Sequence, residues 1–113
     1  SDIRIKNVIG RTDSKLSLDL INKIKITDYQ LKDDKSNTTY KKVIAQELKE
    51  VYPNAVYVTN GKIDGKDVDD YHLVDYDAVS MLNVSATQEL YKLVQQQQQL
   101  IEELQMEIEQ LKK

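Results

Sequence analysis

Few side chains in this 113-residue sequence can do covalent chemistry. There is no Cys, which removes thiol nucleophiles, thiolate metal ligands and disulfides, and leaves the redox compartment open. The single histidine, His72, has no second His to join it in a metal site and reads as a strand-end residue. Asp64, Asp67, Asp69 and Asp70 lack the alternating spacing and closing Glu of a calcium loop, so they read as a solvated hairpin and no metal site is expected. Ser1 and Lys6 remain. A serine becomes a nucleophile when a base takes its proton, and a desolvated, neutral lysine can serve. Their spacing alone is uninformative, because chance supplies many such pairs. It does set a geometric condition: an offset of five puts the side chains on opposite faces of a flat strand and about 140° apart on a helix. A dyad therefore needs a bend between Ser1 and Lys6, or a lysine from a neighbouring subunit. Ser1 itself is either an arbitrary chain end or a new N-terminus made by proteolysis.

The surrounding elements follow from hydrophobic spacing. Ile3 and Ile5 alternate with polar residues, which predicts a short extended segment over residues 1–9. Leu16, Leu20, Ile21 and Ile24 recur at helical spacing, with Asp13 or Ser14 as the cap. A strand-like stretch carries Ile26, Tyr29 and Leu31, and residues 32–39 contain no apolar side chain and read as an exposed loop. A second helix is predicted from Lys42 to Tyr52, with Ile44, Leu48 and Val51 on one face and Pro53 ending it. Residues 55–59 favour a strand running into a turn at Asn60-Gly61, a further turn is expected at Asp64-Gly65, and His72-Leu73-Val74 returns as a strand.

Past Tyr76 no Gly or Pro interrupts the chain, so one helix is predicted to the C-terminus. Its tail fits a heptad with Val94, Ile101 and Ile108 at a and Leu90, Gln97, Leu104 and Leu111 at d. Gln97 is the one polar member, a candidate buried layer that fixes register within the run Gln95–Gln99. Val or Ile at a with Leu at d favours dimers, whereas Leu93 and Leu100 at g widen the face beyond a two-stranded seam. Periodicity leaves dimer and trimer open, and a parallel homo-oligomer is the firmer expectation.

Composition narrows the partners. Apolar residues make up 40% and charged residues 31%, which fits one soluble domain with a modest core. One Pro and three Gly predict long regular elements, and seven Tyr carry all aromatic packing. The net charge is -3 and no Lys/Arg cluster exceeds two residues, so no nucleic-acid partner is expected. No apolar run approaches the length of a membrane span and no secretory leader opens the sequence, so no membrane partner is expected.

The opening Ser1-Asp2-Ile3-Arg4-Ile5-Lys6-Asn7-Val8-Ile9 resembles the Ser-Asp-x-Arg-x-Lys-x-x-Ile motif of the endosialidase-type intramolecular chaperones. These are C-terminal domains of phage tail spikes, fibres and neck appendages, with relatives in bacterial surface proteins and in myelin regulatory factor-type transcription factors. Val43-Ile44-Ala45-Gln46-Glu47-Leu48 is similar to the family's Ile-Ala-Gln-Glu helix, and Val74-Asp75-Tyr76 to the start of its long helix. Lys42 departs from the family, which has Gly before that helix.

The resemblance implies an α+β fold. A small mixed helix/strand domain at residues 1–76, the chaperone and auto-processing part, precedes a long helix at residues 77–113 that forms a parallel trimeric coiled coil. It implies a homotrimer that acts on the upstream region of its own polypeptide, promotes its folding, and cuts the bond before Ser1. Ser1 would be the nucleophile, Lys6 the general base, and Asp2 and Arg4 organisers of the site, with no cofactor. It leaves the origin open between a virion, a cell surface and a transcription factor; the phage case, the first expectation, implies a phage-encoded protein made in the bacterial host cytoplasm and released after fibre assembly. The alternatives are a non-enzymatic coiled-coil trimerisation module, with Lys6 a surface charge, and a domain whose tail helix lies in a partner's groove.

Overall fold

The computed structural model describes residues 1–113. Asp13 starts the first helix, α1 (Ser14–Lys23), by accepting hydrogen bonds from the N–H groups of Lys15 and Leu16 at 3.1 and 3.2 Å. That satisfies two donors with no partner inside the helix. The buried position of α1 is Ser17, at 1% exposure, while Leu16 stays exposed. The expected stripe beginning at Leu16 is therefore rotated in part toward small residues.

Two short strands, β1 (Thr27–Tyr29) and β2 (Tyr40–Lys42), pair antiparallel and enclose the predicted exposed loop. Tyr29 and Tyr40 face each other across the pair with ring centroids 5.7 Å apart. The next helix, α2 (Ala45–Val51), begins later than the sequence predicts. Lys42 is drawn instead into β2 opposite Thr27, and its Nζ lies 5.6 Å from the ring centroids of both Tyr40 and Tyr76. Ile44 caps α2 in an extended conformation, which takes it off the face that Leu48 buries. Pro53 then opens a 3-10 turn, Pro53–Ala55.

Strands β3 (Val56–Ile63) and β4 (Lys66–Val74) form a second antiparallel pair. The reversal is at Asp64-Gly65, whose φ values of 52° and 77° are both positive. Two central residues at positive φ make the tight hairpin turn that matches strand twist, and an Asp-Gly pair suits it. The turn expected at Asn60-Gly61 is absent: both residues lie inside β3, at a register shift. Glycine serves there for a different reason. A Cβ at Gly61 would meet Tyr71 Cγ at 2.7 Å and Tyr71 Cβ at 2.8 Å, so only glycine lets that side chain cross the strand so closely.

Asp75 caps the last helix, α3 (Tyr76–Leu111), accepting from the Ala78 N–H at 3.1 Å. The Asp75 N–H in turn donates to the Ala55 carbonyl at 2.8 Å and ties α3 to the Pro53 turn. At 36 residues α3 is about 54 Å long. The core gathers at its N-terminal end: Val43, Leu48 and Ala55 are buried, with Ile24, Tyr52, Val56, Val74, Ala78 and Val79 packed against them. The result is a mixed α and β body from which the far half of α3 projects.

Candidate functional site

Residues 1–13 form an arm that leaves the body at Asp13, and every one of them is exposed. Within it, residues 3–5 make a single 3-10 turn where the sequence predicts extended chain. The cause is local. Asp2 Oδ1 accepts from the Arg4 N–H at 2.8 Å and from Arg4 Nε at 3.1 Å, while Oδ2 accepts from Arg4 Nη2 at 3.0 Å. An Asp two residues ahead offers the backbone a turn that competes with the extended form. These side-chain bonds from Arg4 hold the Asp2 carboxyl below its ordinary value of 3.8, and the same pairing raises Arg4 further.

The turn sits between Ser1 and Lys6, and so supplies a bend in the stretch that separates them. The Lys6 N–H closes it, donating to the Ile3 carbonyl at 3.1 Å. Within one protomer, however, no hydrogen bond joins Ser1 to Lys6, and both side chains are open to solvent. Nor does the arm rest on its own body. Ile5 is 81% exposed and Ile9 entirely so, with Ile3 and Val8 close behind. Four apolar side chains held in water over so short a segment are costly unless something covers them.

The second uncovered surface lies on α3. Leu90, Val94, Ile101, Leu104, Ile108 and Leu111 are all exposed, together with Leu93 and Leu100. They follow the heptad spacing. What α1 covers is the stretch nearer the body, where α3 buries Leu82, Ser85, Ala86 and Glu89. Glu89 is 6% exposed and is the one charged side chain among the buried residues. Its Oε1 accepts from the Ser14 hydroxyl at 2.8 Å. Sequence reasoning does not single it out, although its place three, four and seven residues beyond Ala86, Ser85 and Leu82 is a helical spacing that could have found it.

The remaining candidates sit apart from the arm. His72 lies in β4, with Nδ1 2.6 Å from the Asp70 carbonyl oxygen. Asp64 lies in the β3–β4 turn, and Asp67, Asp69 and Asp70 follow along β4. On α2, Glu47 turns Oε2 toward Lys25 Nζ at 3.9 Å and leaves Oε1 without a partner. No helix is long and apolar enough to cross a membrane.

Comparison with known proteins adds to this geometry. The family model described as chaperone of endosialidase, and named as a peptidase, matches residues 1–57, which is just over half of the 113. That span holds the whole arm, α1 and α2. A myelin gene regulatory factor-like protein of Dictyostelium discoideum is 33% identical over 102 residues, covering 81% of this chain and 11% of that protein. An uncharacterized protein of the same organism is 40% identical over 105 residues, covering 83% of this chain and 9% of its own length. An uncharacterized membrane protein, also from Dictyostelium discoideum, is 34% identical over 129 aligned positions, covering 99% of this chain and 7% of its own length. The chain thus spans about a tenth of the length of these relatives.

Proposed function

Because this chain belongs to the chaperone of endosialidase family, we propose that it is an intramolecular chaperone that brings three copies of an upstream chain into register and then cuts itself from them immediately before Ser1. The observation that carries this reading is the uncovered apolar stripe running from Leu90 to Leu111 along α3. A helix that presents such a stripe at heptad spacing needs partner helices, and apolar g positions favour more than one partner. Residues 77–113 would then be the assembly element and residues 1–76 the chaperone and processing element. Gathering the tails raises the local concentration of the upstream segments and lowers the entropic cost of joining them. The upstream chain would be fibrous, or a regulatory factor of the kind the named relative resembles.

The chemistry follows from the arm. Ser1 Oγ, its proton passed to a neutral Lys6 amine, adds to the carbonyl carbon of the residue just upstream. The C–N bond to Ser1 breaks, and the departing α-amine takes the proton back from Lys6. Water then hydrolyses the ester on Ser1 Oγ, which frees the upstream carboxylate and restores the hydroxyl. A lysine stays neutral near neutral pH when it is desolvated or lies beside positive charge. Lys6 is exposed in one protomer, so the surroundings that desolvate it must come from neighbouring chains. Cleavage would accordingly wait for assembly. Asp2 and Arg4 would hold the bend in the arm.

The same exposure favours a second reading, a trimerisation module without chemistry. One experiment separates them. A chain extended upstream of Ser1 by its natural residues should split once, before Ser1, without added protease. Ser1→Ala, Lys6→Ala and Lys6→Arg should stay whole and still trimerise, since arginine keeps the charge but supplies no neutral amine. Mixed trimers of the Ser1→Ala and Lys6→Ala chains would reveal whether the lysine comes from a neighbour. Cleavage of the Ser1→Ala chain would remove the serine mechanism and leave the module.

A further inference from the structure

Where the arm ends, the first residue of α1 meets the assembly helix at one polar contact, and it is part-buried. Helix α1 runs antiparallel to α3: Ser14, at its start, bonds Glu89, while Ile24, just past its end, lines a shallow cavity together with Val79 near the start of α3. The arm therefore leaves the body level with Glu89, one residue before the first heptad position, Leu90. Successive helix residues lie about 100° apart, so the α1 flank and the apolar stripe are adjacent faces of the same rod. A chain seated against Leu90 and Val94 would pass close to the root of the arm. Glu89 itself has no ion-pair partner. A carboxylate that is almost fully buried without a countercharge costs stability, and an apolar or small residue would pack there more cheaply. It does sit where the N-terminus of α1 and the Ser14 hydroxyl receive it, an arrangement that fixes the two helices against sliding.

From this geometry we infer that Glu89, through Ser14, is a positioning residue that couples assembly to self-cleavage, because it fixes where the Ser1–Lys6 arm departs relative to the seam. The inference rests on the proposed self-cleavage. Loss of the contact frees α1 to slide or pivot on α3, and the arm's reach of about 40 Å amplifies any movement at its root. The seam residues stay intact, so the trimer persists while the chemistry slows.

The test uses the chain with its natural upstream residues, following cleavage over time by gel and mass by sedimentation in the same samples. Ser14→Ala and Glu89→Ala should each remain trimeric and cleave at least about tenfold more slowly, the rate equivalent of one charge-assisted hydrogen bond. The double variant should be no slower than either single one, because both remove the same contact. Glu89→Gln keeps an acceptor for Ser14 and should cleave within about threefold of the parent, the difference between a neutral and a charged acceptor. If Glu89→Ala fails to fold, Ser14→Ala and Glu89→Gln carry the comparison alone. Trimeric Ser14→Ala cleaving at the parent rate would overturn the coupling. A parent chain that never cleaves would instead overturn the self-cleavage reading, and with it this one.

Discussion

Ile101 sits in the middle of the uncovered stripe and is 49% exposed in a single protomer. Complete burial of an isoleucine is worth about 1.5–3 kcal/mol, so covering the remaining half adds about 1 kcal/mol per chain. Truncation to alanine also leaves a cavity between the packed helices, which raises the assembly-linked loss to about 1–2 kcal/mol per chain. A trimer repeats the site in each subunit, and the total is about 3–6 kcal/mol, or about two to four decades in the association constant. That constant scales with the square of concentration. The concentration at which Ile101→Ala is half assembled should therefore rise by about ten- to a hundredfold. Sedimentation equilibrium over a dilution series reads it directly. Gln99→Ala, at the outward f position of the preceding heptad, is the control and should leave the midpoint where it was. An unchanged midpoint for Ile101→Ala, or an equal shift for Gln99→Ala, would refute the assignment of the seam.

Two further outcomes test the fold and the arm. Gly61→Ala should destabilise the β3–β4 pair by about 1–3 kcal/mol through its collision with Tyr71. Thermal unfolding reads this, and a chain that also carries Tyr71→Gly, which removes the Cβ as well as the ring, should lose little more than Tyr71→Gly alone. Asp2 is held below its ordinary value of 3.8 by Arg4, so its contribution to the turn is complete above that value and disappears as pH falls through the lower one. The amide resonances of Arg4 and Lys6 should hold steady on acidification to about pH 4 and move only below it; a midpoint at or above the ordinary value would contradict the pairing.

Much of the fold is written in local signals. Asp13 announces its helix as a cap, the absence of Gly and Pro after Tyr76 leaves α3 nothing to stop it, and Asp64-Gly65 specifies its own turn. The misreadings arise where a distant partner overrides a local preference. Asn60-Gly61 has the composition of a turn, but the glycine answers to Tyr71 on the opposite strand. Lys42 reads as the start of a helix, yet pairing with Thr27 and the rings of Tyr40 and Tyr76 hold it in a strand. Tyr76 lies 34 positions further along, beyond the reach of any periodicity. The arm shows both kinds of behaviour. Its motif is legible residue by residue, and the Asp2–Arg4 turn follows from neighbours. Surroundings for Ser1 and Lys6 are not legible, because in one copy of the chain both side chains lie in solvent. Glu89 escaped for a related reason: a carboxylate on a helix reads as solvated until another helix is known to lie over it.

The continuity of α3 has a consequence for fidelity. A single unbroken rod carries both Glu89, which holds the start of α1 at the root of the arm, and the stripe that would meet other copies. If one chain slipped by a heptad, its whole body would move about 10 Å along the axis relative to its neighbours. Apolar side chains would still meet apolar side chains, with Gln97 out of line. Burial alone would penalise that error weakly, since heptads resemble one another. A cut that needs groups from adjacent chains would penalise it severely, because a displacement of that size exceeds the reach of a hydrogen bond several times over. Release would thus act as a check on alignment, and misaligned assemblies would stay tethered and able to dissociate and try again.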